Sequence, residues 1–399
     1  MKLARPRFLD DDHVRKAALP FLVSRILVWA VAFIGLEIWP ALNSPIGVRP
    51  LRSPGYIVRA FPDFLPIDGL IRCDSAWYWS IVDPGYFLHR GAQSNIAFFP
   101  LYSYLSALMA LPWRLVLAPD RAFYVGGLIV SNVAFGFALV AIHRLSSRWT
   151  TDPSAATRAC WLVALYPFSY FFSCVYTESL FLALSTWSVL SAYEGRWLRA
   201  AVFAMFVAVT RNIGIALLPI LGLIYLREIR FDPRRIRRDA FAFLLTPLLL
   251  CCFLYFNWTA FGTPLAFASI QGAPGWGRSF GFSYLWRDIH YATDPRVPFY
   301  DRVVNATHML LVPLNGIATV LAIFTIPAEM VLYSVGSTLP FLGSGTYVSS
   351  GRYASVLFPL FIAAGIRLKR APLIGAALVL FTALLIYLTN GYAHWFGPV

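Results

Sequence analysis

Long apolar runs with few charges, separated by short polar intervals, dominate the chain from residue 18 to residue 388. About eleven of them approach the roughly 17–25 residues that a helix needs to cross a hydrocarbon core. They are Ala18–Trp39, Ala97–Leu117, Ala122–Ile142, Ala159–Val175, Ser179–Tyr193, Ala200–Leu226, Ala240–Ala260, Met309–Ile326, Ala328–Leu342, Tyr353–Ile366 and Ala371–Leu388. Period-two alternation does not occur, which argues against an outer-membrane barrel. The pattern predicts an all-α polytopic membrane protein forming a single domain over residues 1–399. Its two longest polar stretches, 41–96 and 261–307, are expected as external loops.

Composition agrees with a lipid environment. Charged residues make up 13% of the chain against roughly a quarter in soluble domains, while 59% of residues are hydrophobic. The formal charge of +14 would raise the question of nucleic acid in a soluble protein. Here the basic residues sit at segment ends, so membrane headgroups are the expected partner and nucleic acid is not. Three groups are expected at the cytoplasmic face: Lys2, Arg5, Arg7, Arg15 and Lys16; Arg227, Arg230, Arg234, Arg235, Arg237 and Arg238; and Arg367, Lys369 and Arg370. The first apolar segment is too long for a cleavable signal peptide and is read as an uncleaved anchor.

A cytoplasmic N-terminus places 41–96 outside, and counting back from the 227–238 cluster places 261–307 and 343–352 there too. The interval 144–226 resists simple alternation, which would leave Arg144, Arg148 and Arg158 outside and Glu178 inside. Pro167 and the polar break Tyr176-Thr177-Glu178 suggest a pair of short or broken helices over Ala159–Tyr193.

The candidate chemistry lies in the polar breaks. Asp74, in Arg72-Cys73-Asp74-Ser75-Ala76-Trp77-Tyr78, is an acid on an external loop among aromatic residues, and it is the candidate catalytic group. Asp83, before Pro84-Gly85, reads as a turn residue. Glu178 sits among apolar residues, where it either orients a substrate hydroxyl or pairs with a base such as Arg211. Arg211 interrupts an apolar run, and Arg352 opens a helix at the membrane face; each suits a phosphate group. The five cysteines and the dispersed histidines His89, His290, His308 and His394 show no metal-site spacing, and no cofactor is called for. The acceptor-like triplets at Asn257 and Asn305 read as chance matches.

Arg72-Cys73-Asp74-Ser75-Ala76-Trp77-Tyr78, Gly85-Tyr86 and Asn95-Ile96-Ala97-Phe98-Phe99-Pro100-Leu101-Tyr102 together resemble the PIG-V family of mannosyltransferases. Further matching strings follow in order. They are Tyr166-Pro167-Phe168-Ser169-Tyr170-Phe171-Phe172, Tyr176-Thr177-Glu178-Ser179-Leu180-Phe181, Thr210-Arg211-Asn212-Ile213-Gly214, Gly262-Thr263-Pro264-Leu265-Ala266-Phe267 with Gln271, and Gly351-Arg352-Tyr353 with Phe358-Pro359. The family commonly carries Trp where this chain has Cys73.

The resemblance implies a GT-C-type helical membrane enzyme, with the essential acid on its first external loop and a polyprenyl-phosphate sugar, mannose, as donor. The Ala/Arg-rich composition points to a bacterial member, in the inner membrane with its site facing the periplasm. A eukaryotic member would sit in the endoplasmic reticulum membrane with a lumenal site. The acceptor is then a lipid-linked or cell-envelope glycan. On this reading Asp74 is the base, Arg352 and Arg211 offset phosphate charge, Glu178 and Gln271 orient sugar hydroxyls, and Trp276 stacks on a sugar, with Tyr78 beside them. The alternative is a lipid or glycolipid transporter, for which paired repeats would be expected; none is visible.

Overall fold

The computed structural model describes residues 11–39, 60–274, 276, 278, 281, 284–342 and 349–395. Lys2, Arg5 and Arg7, the part of the first loop before residue 60, and residues 343–348 lie outside them. Among the described residues the regular structure is helical, with no strand. Fifteen α-helices of six or more residues organise the described residues. They are α1 Asp12–Ile38, α2 Ser75–Val82, α3 Pro100–Ala110, α4 Pro119–Trp149, α5 Ala155–Ala164, α6 Glu178–Tyr193, α7 Trp197–Ala208, α8 Leu217–Glu228, α9 Leu248–Phe261, α10 Tyr284–Thr293, α11 Phe299–Ala322, α12 Ala328–Leu342, α13 Ser350–Ser355, α14 Phe358–Arg367 and α15 Ala371–Ala393. Five helical stretches are long and apolar enough to cross a membrane: Asp12–Ile38, Pro119–Trp149, Arg238–Phe261, Phe299–Ala322 and Ala371–Ala393. With Leu373, Val379 and Leu380 exposed on α15 and Leu248 and Tyr255 on α9, the apolar outer surface is that of an integral membrane protein.

Several expected spans are broken, and each break has a local cause. Pro112 has no N–H to continue the helical ladder, and α3 gives way after Ala110 to a 3-10 turn, Leu111–Leu115. At about 1.5 Å per residue, the eleven residues of α3 are too short to cross. Ala200–Leu226 divides into α7 and α8 around Arg211, with a 3-10 turn at Asn212–Ala216. There Gly214 lies so near the backbone of Val207 that a Cβ would fall 2.4 Å from its carbonyl oxygen. Tyr353–Ile366 divides before Pro359, and Ala159–Val175 after Ala164, the latter matching the expected broken pair. The stretch read as an external loop at 261–307 contains α10 and the first turns of α11, whose polar residues hid their helical period.

The loss of Ala97–Leu117 as a crossing explains the conflict at 144–226. Tyr102 on α3 donates to Gly127 O at 2.9 Å, so α3 folds back along the first half of α4 instead of leading the chain across. Arg148 at the end of α4 donates to Tyr193 O at 2.9 Å, and Tyr193 donates to Glu329 at 2.8 Å. Arg227 pairs with Glu329, and Arg144 pairs with Asp11. Arg144, Arg148, Arg158 and the 227–238 cluster therefore gather at the end of the bundle that holds the start of α1. Glu178 goes to the opposite end, with Asp74.

α5 halts near mid-bundle, leaving its last carbonyls without helical partners. Arg25 of α1, fully buried, donates to Ala164 O at 3.2 Å and to Ser169 O at 2.8 Å, and its guanidinium lies 4.6 Å from the Phe135 ring centroid. It thereby satisfies the irregular stretch 165–177 that delivers Tyr176 and Glu178 to the site.

The loop carrying Asp74 is tied down by a second buried arginine. Arg72 donates to Asp68 Oδ2 at 2.6 Å and to Ala393 O at 2.9 Å, and both side chains of the ion pair are essentially inaccessible. Asp68→Ala leaves that cation buried and unpaired, at an expected cost of about 3–5 kcal/mol. Thermal unfolding of the variant in detergent measures it, and an unchanged midpoint contradicts the role.

Candidate functional site

Asp74 sits directly before α2, and its geometry is set by Cys73, whose φ of +52° lies in the left-handed region that non-glycine residues seldom occupy. The Asp74 N–H donates to the Tyr176 hydroxyl oxygen at 3.1 Å, while Tyr176 and Tyr392 both donate to Arg72 O, at 3.4 and 3.2 Å. Two tyrosines thus hold the main chain on either side of Cys73, directly before the acid. Burial, together with the adjacent Asp74 carboxylate, pushes the Cys73 thiol up, so it stays protonated and unreactive at neutral pH.

Arg352, on the short helix α13, is the hub. Its Nη1 donates to Asp74 Oδ2 at 2.7 Å, its Nε donates to Glu178 Oε1, and its guanidinium lies 4.8 Å from the Tyr176 ring centroid. Arg211 pairs with the same Glu178 oxygen and donates to Thr177 Oγ1 at 3.2 Å. One carboxylate therefore anchors two cations in place. Asp74 Oδ1 accepts no hydrogen bond among the described residues, and with its side chain 17% exposed it is the oxygen left to the adjoining space.

That space is a cavity of about 100 Å³ bordered by Asp74, Tyr78, Arg211, Gln271, Trp276 and Arg352, six of the seven residues singled out in the sequence. The seventh, Glu178, is fully buried and does not border the cavity. Of its two readings the structure shows the pairing with Arg211, extended to Arg352. Arg352, expected to meet a phosphate, bridges both carboxylates. Trp276 packs edge-on against Trp77 and Phe98, 5.8 and 5.9 Å between centroids, and Tyr78 packs against Phe98 and Tyr102. The polar lip includes Gln271, whose main-chain carbonyl accepts the Arg278 N–H at 3.0 Å.

Arg278 and Tyr353 border the cavity without having been assigned a role in the sequence. The Arg278 guanidinium lies 5.7 Å from the Tyr353 ring centroid, and that of Arg211 lies 4.8 Å from it. No carboxylate among the described residues pairs with Arg278. Two carboxylates, Asp74 and Glu178, thus face three arginines, Arg211, Arg278 and Arg352, leaving one positive charge in excess. The signal was present in Trp276-Gly277-Arg278, but an arginine in an interfacial loop reads equally well as a headgroup contact. Among the described residues no group of three or more His, Cys, Asp or Glu is placed to hold a metal ion.

Fold and cavity together define an integral membrane protein with a cluster of charges facing a pocket at one end of a helical bundle. A family profile described as Mannosyltransferase (PIG-V) matches residues 17–271, and the chain belongs to that family. The match includes Asp74, Glu178 and Arg211 and ends at Gln271, so Arg278 and Arg352 lie beyond it. No curated protein sequence matches significantly.

Among solved structures, the oligosaccharyltransferase of Archaeoglobus fulgidus in complex with zinc and sulfate is similar at 13% identity and a TM-score of 0.49, over 94% of this chain and 53% of that one. The same organism's enzyme in the apo form, and with an inhibitory peptide and a dolichol-phosphate, match at 11% identity and a TM-score of 0.44, over 93% of this chain and 55% of theirs. The chain spans about half the length of these relatives.

Proposed function

We propose that this protein is a GT-C-type glycosyltransferase. It moves a sugar, mannose, from a polyprenyl phosphate to a lipid-linked or cell-envelope glycan at the external face of the membrane. The observation that carries this reading is the placement of one accessible carboxylate oxygen beside a net positive, aromatic-bordered cavity. A single displacement needs those parts. The acceptor hydroxyl oxygen attacks the anomeric carbon and its proton passes to Asp74 Oδ1. The bond from that carbon to the phosphate oxygen breaks, its electron pair leaves with the prenyl phosphate, and the configuration inverts.

Hydrolysis of an ordinary glycoside needs a second carboxyl group to protonate the leaving oxygen. A phosphate leaves without that help, so one base suffices and Glu178 is free to serve as counter-ion. Positive groups near the departing phosphate lower the barrier by stabilising charge as it develops. Arg278 carries that task most directly, with Arg211 beside it, while Arg352 holds Asp74 in line. Trp276 and Tyr78 supply apolar faces for the sugar ring, and Gln271 supplies amide contacts to its hydroxyls. The site's position at the end of the bundle opposite the basic clusters supports the external face.

The test is transfer of radiolabelled mannose from a prenyl phosphate to membrane glycolipid by the purified protein in detergent. Labelled product is expected. Movement of lipid without labelled product would instead favour a transporter. A charge-assisted hydrogen bond contributes about 1.5–3 kcal/mol, so Arg278→Ala is expected to raise the donor KM by about 10- to 100-fold with little change in the acceptor KM. An unchanged donor KM removes Arg278 from the phosphate contact.

A further inference from the structure

We infer that His308, which borders no part of the cavity, is a positioning residue for the transfer reaction. It fixes the backbone from which Arg352 reaches the two carboxylates. The inference rests on the transferase reading above and adds to it a residue on α11, outside the stretch matched to the family.

The geometry is a clasp on the start of α13. The Gly351 N–H donates to His308 Nδ1 at 3.1 Å, and the Ser350 hydroxyl donates to His308 O at 2.9 Å. Gly351 is the residue immediately before Arg352. On its other side lies Phe168, so close that a Cβ at Gly351 would fall 2.3 Å from the ring. The Phe168 ring in turn packs at a tilt against the imidazole, 4.6 Å between centroids. Ser349 enters this turn with φ at +72°, a left-handed conformation that needs support from its neighbours. The turn before Arg352 is therefore held by two hydrogen bonds to His308 and by one aromatic ring, all from other parts of the chain.

The bond has a chemical requirement. A backbone N–H can donate only to a ring nitrogen that carries a lone pair, so His308 is neutral at Nδ1 with its ring proton on Nε2. His308 is buried and cannot turn out to water. A side chain without an acceptor at the Nδ1 position leaves the Gly351 N–H unpaired beside Phe168, and the turn relaxes. Arg352 then moves with it, taking Asp74 out of line. Displacement of about 1 Å at a reacting group costs on the order of 100-fold in rate.

Three substitutions separate this from simple packing. Asparagine places an amide oxygen near the Nδ1 position, glutamine places one nearer Nε2, and leucine keeps volume but offers no acceptor. His308→Leu and His308→Gln are expected to lower kcat by about tenfold or more with less than about threefold change in donor KM, while His308→Asn stays within about threefold of wild type. Hydrogen exchange of the 349–355 peptide, read in the same proteins, is expected to quicken in the leucine and glutamine variants and not in the asparagine variant.

The exchange result needs no enzymatic activity, so it tests the clasp even if the wild-type protein transfers no sugar. Wild-type exchange in all three variants overturns the inference. So does a folded asparagine variant as impaired as the leucine one, since that outcome assigns His308 to packing alone.

Discussion

Asp74→Asn is expected to fold, to bind its donor, and to transfer sugar about 100- to 10,000-fold more slowly, the usual loss on removing a general base. The substitution keeps the side chain's shape, and the amide oxygen can still accept from Arg352, so the loop need not move. What disappears is the ability of the second oxygen, the one facing the cavity, to take a proton. The loss should fall on kcat and on kcat/KM to the same degree, as for an interaction made only in the transition state. Initial rates at saturating donor and acceptor give the answer. Transfer at the wild-type rate by a well-folded Asp74→Asn protein would exclude the proposed base.

Arg352→Gln is expected to damage both stability and activity. It removes the cation shared by Asp74 and Glu178, both bonded to it in the structure. Breaking a buried pair by removing one partner costs roughly 3–5 kcal/mol. Arg211 still neutralises Glu178, and Asp74 is partly exposed, so the loss should fall at the lower end of that range. Arg352→Lys separates charge from geometry. It keeps a positive group but offers a single point where the guanidinium offered a planar fork, so it cannot reach both carboxylates along the same lines. Lysine should therefore recover much of the thermal stability and little of the turnover. Full turnover in the lysine variant would show that the bridge is unnecessary and that a nearby positive charge is enough.

Tyr78, Gln271 and Trp276 were reached only through the family resemblance; the apolar runs made the helical membrane class legible, and the polar breaks within them made Asp74, Arg211 and Arg352 legible. Both rest on strong local signals: a hydrocarbon-length run, or a charge where lipid would penalise one. What the sequence concealed depends on contacts between distant segments. Ala97–Leu117 has the composition of a crossing, and only its packing along α4 and the proline at 112 show that it turns back. That one segment reversed the apparent orientation of Arg144, Arg148, Arg158 and Glu178. Glu178 could be read as ligand or counter-ion because its environment, two arginines arriving from residues 211 and 352, is assembled only in three dimensions. His308 was set aside as a dispersed histidine without metal spacing, since nothing near it in the chain announces a bond to Gly351.

The folded-back helix α3 also governs how deep the chemistry lies. Ser131 of α4 has its hydroxyl oxygen 2.9 Å from that of Tyr102 and donates to Cys174 O at 2.6 Å, two residues before Tyr176. At about 1.5 Å per residue, Ser131 stands roughly 18 Å along α4 from its outer end at Pro119. Tyr176, which holds the loop of Asp74, is therefore anchored well below the Pro119 end of α4, and the cavity beside it is recessed. On the transferase reading proposed above, a recipient glycan must present a slim terminus able to descend that far, and bulky branching close to its reacting hydroxyl would keep the two partners apart.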